Sequence, residues 1–379
     1  MSATTPRTDP LAESALPVRR PWFRGGERVS VLRRLPVWGA WLALVLVLGA
    51  LAAREARTSA LQARLLSAFV ERLGFVVASG PSASFAAPRH GPYDDRLGYV
   101  QIPTWTRRLT RDGFRVTEQA RLSPALLRLT ALGFSPPYHE KTRAGLFVLD
   151  RDGAPVFGVS EPAQAYADFA AVPPLVRDTL LFVENRELLH EEPRRNPAVE
   201  WDRFARAALF QLGGGNDDAR GPGGSTLATQ MEKYRHSPGG RTHSPLEKLR
   251  QIGSASLRAY RDGEDTRAVR RTILLDYLNS LPLAAAAGRG EVLGLAAGLE
   301  AWYGADFDRT NELLAAPVDA ADPAGLAEQA NAYRQVLSLL LATRRPTDYL
   351  RERPGALDAL ADRYLRRLAK EGVIGAELR

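Results

Sequence analysis

Residues 221–233 read GPGGSTLATQMEK, and their reading organises the rest of the chain. Clustered glycines followed by Ser225, Thr226, Thr229, Gln230 and Lys233 predict a loop that runs into a helix carrying hydroxyls, an amide and a cation. Such an entry suits an anion, because exposed backbone N–H groups, the positive end of a helix and a lysine all favour phosphate oxygens. Two nucleotide-binding motifs are excluded. The P-loop needs a lysine directly before its Ser/Thr, where Gly224 stands, and the dinucleotide fingerprint needs a preceding strand, where residues 204–212 are patterned as a helix.

A short way upstream, Val172-Pro173-Pro174 opens an apolar helix with prolines where they are tolerated, and Leu175, Val176, Thr179, Leu180 and Val183 repeat at helical spacing. The repeat delivers Glu184 beside a buried face. A carboxylate held there is stripped of water and becomes a better proton acceptor, which suits a general base.

Helix, glutamate, intervening helix, then GGST and a lysine is the order of motifs in the peptidoglycan glycosyltransferases, family 51 of the glycosyltransferases, which the chain resembles over residues 146–314. The family's first motif, E-D-x-x-F, meets Glu184-Asn185-Arg186-Glu187-Leu188. Its second, G-G-S-T-I-T-Q-Q-L-x-K, meets Gly223, Gly224, Ser225, Thr226, Leu227, Ala228, Thr229, Gln230, Met231, Glu232 and Lys233. The third, R-K-x-x-E, meets Glu247-Lys248-Leu249-Arg250-Gln251, preceded by Arg241-Thr242, and the fourth, I-L-E-x-Y-L-N, meets Ile273-Leu274-Leu275-Asp276-Tyr277-Leu278-Asn279. Trp302-Tyr303-Gly304 resembles the aromatic, aromatic, glycine step that follows. Three positions depart: Asn185 for aspartate, Gln251 for glutamate, and Leu275 for glutamate beside Asp276.

With 379 residues and 45% apolar composition the chain can bury a sizeable core. The absence of cysteine excludes disulfides and thiolate metal sites. A net charge of +8 admits anionic lipid or pyrophosphate as partners, whereas scattered arginines without interleaved exposed aromatics argue against nucleic acid. Residues 1–34 are rich in Arg, Pro, Ser and Thr without periodicity and read as a disordered tail. Residues 35–53, LPVWGAWLALVLVLGALAA, carry no charge and are long enough to cross a bilayer, with Trp38 and Trp41 near one interface. The positive-inside rule places the Arg-rich tail in the cytoplasm and everything after Arg54 outside it, and the resemblance implies a single-pass protein of the bacterial inner membrane with its lobe in the periplasm.

Residues 54–144 form a juxtamembrane region. In it, Leu61, Leu65, Leu66, Phe69, Val70 and Leu73 predict one amphipathic helix continuing from the span, residues 80–103 read as loop, and residues 123–132 as a short helix. Residues 146–157 read as a hairpin with Asp152-Gly153 as a primed turn. After Glu184, His190 to Asn196 (HEEPRRN) look inserted, and residues 201–212 resume an amphipathic helix. The helix around residues 272–281 is apolar on most sides and reads as central. Residues 315–379 form a further helical extension after the domain at 145–314. His236 and His243 match no metal-ligand spacing and read as structural or solvated.

The fold expected is mainly α, a lysozyme-like lobe with a small β-hairpin behind one transmembrane helix. The resemblance implies lipid II and the nascent glycan strand as substrates, with Glu184 as the general base and Gln251 at the other catalytic position. Asn185, Gly224, Ser225, Thr226, Gln230, Lys233, Arg241, Lys248 and Arg250 would bind the substrate and its pyrophosphate. The sequence names no metal ligand, and the resemblance leaves room for a divalent Mg or Mn at the pyrophosphate. Oligomeric state stays open. No lysine has a serine three residues before it, so the acylating motif of a transpeptidase is missing. Three readings compete: a monofunctional polymerase, a glycan-cleaving enzyme using Glu184 as acid, and a catalytically silent scaffold favoured by Gln251 and Leu275. A basic, pyrophosphate-sized site beside Glu184 would support the first, and Glu184 turned outward or paired with an arginine the last.

Overall fold

The computed structural model describes residues 29–85, 91–201 and 225–379, with side chains from residue 38 onward. The chain divides into two units, Met1–Ala53 and Arg54–Arg379. The first holds most of α1 (Val29–Thr58), whose stretch Trp38–Thr58 is long and apolar enough to cross a membrane. The predicted helix at residues 201–212 and Gly221 to Gly224 lie outside the described residues, apart from Trp201.

In the second unit the expected continuous juxtamembrane helix is broken. Ser59 sits at positive φ, and the Glu55 carboxylate accepts the backbone N–H groups of Leu61 and Gln62 at 2.9 Å, so α2 (Ala60–Val70) starts afresh on a side-chain cap. β1 (Phe75–Ser79) then pairs antiparallel with β2 (Glu118–Leu122). Where the sequence reads as loop as far as residue 103, the chain instead carries α3 (Pro92–Arg96) and enters α4 (Ile102–Arg111). Ser123 caps α5 (Pro124–Ala131) through the Leu126 N–H, as a short helix there requires. Val70, Leu73, Leu126, Leu129 and Leu257 form a small apolar cluster that fastens α2 and α5 to the helical lobe.

β3 (Ala144–Leu149) and β4 (Pro155–Glu161) form the expected hairpin, with Leu146 opposite Val159. Its turn is not the two-residue type. The Asp150 carboxylate accepts the N–H groups of Asp152 and Ala154, and Gly153 takes the positive φ that closes a longer loop.

The lobe proper comprises α6 (Pro174–Glu184), α7 (Leu227–His236), α8 (Pro245–Ala259), α9 (Arg267–Ser280), α10 (Gly294–Tyr303), α11 (Phe307–Ala315), α12 (Pro323–Ala342) and α13 (Pro354–Lys370). The protein is thus mainly helical, with two small antiparallel ribbons among the described residues. α9 is buried at Leu274, Tyr277 and Leu278, as its all-round apolar pattern predicts. A second central helix is α12: Val336, Leu337, Leu339, Leu340 and Leu341 have no exposed surface, and its Tyr333 hydroxyl shares a 2.7 Å hydrogen bond with Thr179 of α6. One core therefore runs from Tyr166 to Ile374, across the boundary drawn at residue 314. The stretch after Glu184 wraps Arg270, whose guanidinium donates to the carbonyls of Leu188, His190 and Glu192.

The segment before β3 grips this lobe through buried charge. Glu140 lies 2.9 Å from Arg235, 2.8 Å from Arg258 and 2.5 Å from His236, while Glu232 takes the other side of Arg258 at 2.8 Å. Tyr93 of α3 stacks edge-on to His236 and beneath Arg235, and Asp94 stands 3.7 Å from His236. Burial alone would raise the Glu140 carboxyl, but Arg258, His236 and Arg235 together hold it far below the carboxylate range. Burial likewise opposes a charged His236, yet the charge of Glu140 and the acceptor oxygens that Asp94 and Glu140 offer the protonated ring prevail and raise it to about 10.

Two outcomes follow from the cluster. Glu140→Gln leaves three buried cations short of their carboxylate and should cost about 3–5 kcal/mol of stability in denaturant unfolding. His236, whose pKa rises from 6.5 unfolded to about 10 folded, contributes stability that is complete below 6.5 and disappears as pH climbs through about 10. Subtracting the His236→Gln melting curve from that of the wild type should reveal this alkaline loss, and identical pH dependence in the two proteins would show that the imidazole is not held charged.

Candidate active site

α6 delivers Glu184 because Asn185, the next residue, leaves helical geometry and ends the helix there. The Glu184 side chain is 11% exposed, at the edge of the core rather than in it. Across from it stands α7. Thr226 caps that helix by accepting the Thr229 N–H, and Gln230 on the next turn donates to Glu184 Oε2 at 2.9 Å. Lys233, three residues on, shares the Gln230 face, which brings its ammonium under the field of Glu184.

The cations are held in a way that makes them available to an anion. Lys248 of α8 reaches the entry of α7 and donates to Ser225 Oγ at 2.8 Å. Burial, then the charge of Lys233, lower it to about 8. Lys233 is lowered too, by burial, with Glu184 opposing. Two half-buried ammonium groups close enough to repel gain most from an incoming multivalent anion, and the Ser225 hydroxyl adds a donor beside them.

Several residues expected to touch substrate are engaged elsewhere. Asn185 is buried: its Oδ1 accepts the Leu227 N–H at 3.1 Å and its Nδ2 donates to Glu200, so it pins the end of α6 to the start of α7. Thr226 is buried and its hydroxyl serves as the helix cap. Gln251 is buried as well, and its amide donates to Ser237 and Thr242 while accepting from Thr242, which fastens the loop after α7 to α8. Arg250 lays its guanidinium against Gly133, beyond the end of α5. Arg241 is exposed, and Gly224 lies outside the described residues.

One neighbour of Glu184 carried no signal in sequence. Arg344, just past α12, stands 3.5 Å from Glu184 Oε1 and 3.4 Å from the Val183 carbonyl, with its guanidinium over the Tyr364 ring. Burial works against its charge, but Glu184 and Tyr364 outweigh it and raise its pKa. Only the fold joins it to a glutamate so far back in the chain. Tyr277 also borders the site, its phenol pushed well up by burial and by the charge of Glu184.

The described groups around Glu184 are cations and amides rather than a set of hard oxygen ligands. Among the described residues no three acidic, histidine or cysteine side chains converge.

A family model described as Transglycosylase matches residues 152–354, more than half of the 379-residue chain. No curated protein matches it. The matched stretch contains α6 through α12 and Arg344, and it leaves out Glu140 and α4.

The Asn185 bridge can be tested by charge. Asn185→Asp exchanges a donor for a carboxylate beside Glu200 and should lower unfolding free energy by about 1–3 kcal/mol. Adding Glu200→Gln should restore most of it; an N185D protein as stable as the wild type would mean the bridge carries no weight.

Proposed function

The chain belongs to the transglycosylase family, the peptidoglycan glycosyltransferases of family 51, and from that premise we propose that it polymerises lipid II into glycan strands by an inverting displacement with Glu184 as general base. The observation that carries this is the facing of Glu184 across α7 by Lys233, with Lys248 beside it at Ser225.

The 4-hydroxyl of the acceptor GlcNAc attacks the anomeric carbon of the donor MurNAc. The new C–O bond forms as the bond to the lipid pyrophosphate breaks, the hydroxyl proton passes to Glu184, and the pyrophosphate leaves with the bonding electrons. Gln230 and Arg344 each hold one carboxylate oxygen and so fix its direction. Lys233, Lys248 and the Ser225 hydroxyl meet the negative charge that develops on the leaving group. Asn185 and Gln251 act through others, the first by registering α6 against α7 and the second by holding the loop at residues 237–242.

The chain's placement follows from the same reading. The helix at Trp38–Thr58 spans the inner membrane once, with the Arg-rich tail in the cytoplasm and the catalytic lobe in the periplasm, where lipid II is presented.

The contact between Arg344 and Glu184 favours a second reading, a silent scaffold that binds lipid II without turning it over. Fluorescent lipid II given to the detergent-solubilised full chain separates the two. The wild type should yield glycan ladders, Glu184→Gln should be slower by about 10²–10⁴-fold, and Lys248→Met by about 10²–10³-fold. Lipid II binding without ladders in the wild type would select the scaffold, and release of free reducing sugar without ladders would select a glycan-cleaving enzyme.

A further inference from the structure

α4 (Ile102–Arg111) lies outside the family match, and none of its residues is buried. Ile102, Trp105 and Leu109 recur at helical spacing along one face, Thr104, Arg107 and Arg111 fall on the other, and Arg108 flanks the apolar face beside Trp105. Trp105 is 54% exposed, Leu109 44%, and Phe114, just past the helix, 62%. Isolated helices shorter than about 12–15 residues are marginal in water, so this face calls for a cover. Charge says which. Residues 102–115 hold four arginines against one aspartate, and the Arg108 guanidinium lies 5.5 Å over the Trp105 ring, a pairing at home where an indole sits at headgroup depth and a cation meets phosphate.

We propose that α4 is an in-plane membrane anchor: Ile102, Trp105, Leu109 and Phe114 enter the boundary between acyl chains and headgroups, and Arg107, Arg108, Arg111 and Arg115 bind anionic phospholipid. The inference rests on the reading that Trp38–Thr58 spans that membrane, which puts lipid within reach of this face. Its consequence for the reaction is orientation. α3, close before α4, contributes Tyr93 and Asp94 to the buried cluster that grips Arg235 and His236 of α7, the helix that carries Gln230 and Lys233. A second anchor through this segment holds the pyrophosphate-binding lysines at the depth where a lipid pyrophosphate lies.

The chain contains no cysteine, so a single introduced thiol reports one position. The full chain carrying Leu109→Cys, Phe114→Cys, Thr104→Cys or Leu46→Cys is labelled with a small environment-sensitive fluorophore. Each protein is reconstituted into phosphatidylcholine vesicles with and without phosphatidylglycerol. Nitroxide lipids should quench the probes at 109 and 114 and leave the one at 104 to aqueous iodide, more so with phosphatidylglycerol. Arg107→Glu and Arg111→Glu should each weaken the lipid-bound population about fivefold or more. Probes at 109 and 114 as open to iodide as the one at 104 would overturn the proposal while the probe at 46, quenched by lipid, still upheld the span. Shielding from iodide without lipid quenching would mean another protein covers the face, and would overturn it too. Lipid quenching at 109 with the probe at 46 in water would uphold α4 and sink the span.

Discussion

A buried carboxylate that cannot be left alone constrains this protein. Glu140 precedes β3, outside the matched family residues, and is held by Arg235 and His236 from α7 and Arg258 from α8. Glu232 and Asp276 balance the surplus cations, and burial pushes Asp276 up to about 6 despite Arg235. Ions taken out of water in this way add little net stability, but none can move without stranding the rest. The cluster therefore fixes α7 against α8, and with it the two site lysines, Lys233 on one helix and Lys248 on the other.

The second pin is Asn185. A family aspartate at this position would face Glu200, which here accepts the Asn185 amide. The neutral residue and the nearby carboxylate make sense together: one donor, one acceptor, and an amide oxygen left for the Leu227 N–H. Gln251 is similar in kind. As an amide it can both donate and accept, and Ser237 and Thr242 use it in both senses. Two of the departures from the family motifs are thus integrated structural contacts.

Much of this is legible in the residues. Glu184, Gln230, Lys233 and Lys248 sit on local motifs whose spacing survives folding, and the apolar periodicity of residues 174–183 and 272–281 places Glu184 and the buried α9. What escapes depends on contacts distant in sequence. Arg344 reaches Glu184 from the far end of α12, and Glu140 stands in a stretch without pattern. Residue type shows that Asn185, Thr226 and Gln251 can bind a ligand; it does not show that a backbone N–H or a neighbouring hydroxyl has already claimed them. Residues 80–103 read as loop for a related reason, since α3 is only five residues long and is held by Tyr93 and Asp94 packing on His236 rather than by its own propensity.

The central claim is that Glu184 and the paired lysines form one catalytic site, with the lysines charged to receive pyrophosphate. It is tested most directly by the pH dependence of kcat/KM for lipid II, which reports groups of the free enzyme. Lys248 is lowered to about 8, so kcat/KM should fall as pH rises through that value, and Lys248→Arg should move the fall to higher pH while activity persists. An alkaline limb that is flat through pH 8, or one that Lys248→Arg leaves in place, would contradict the account.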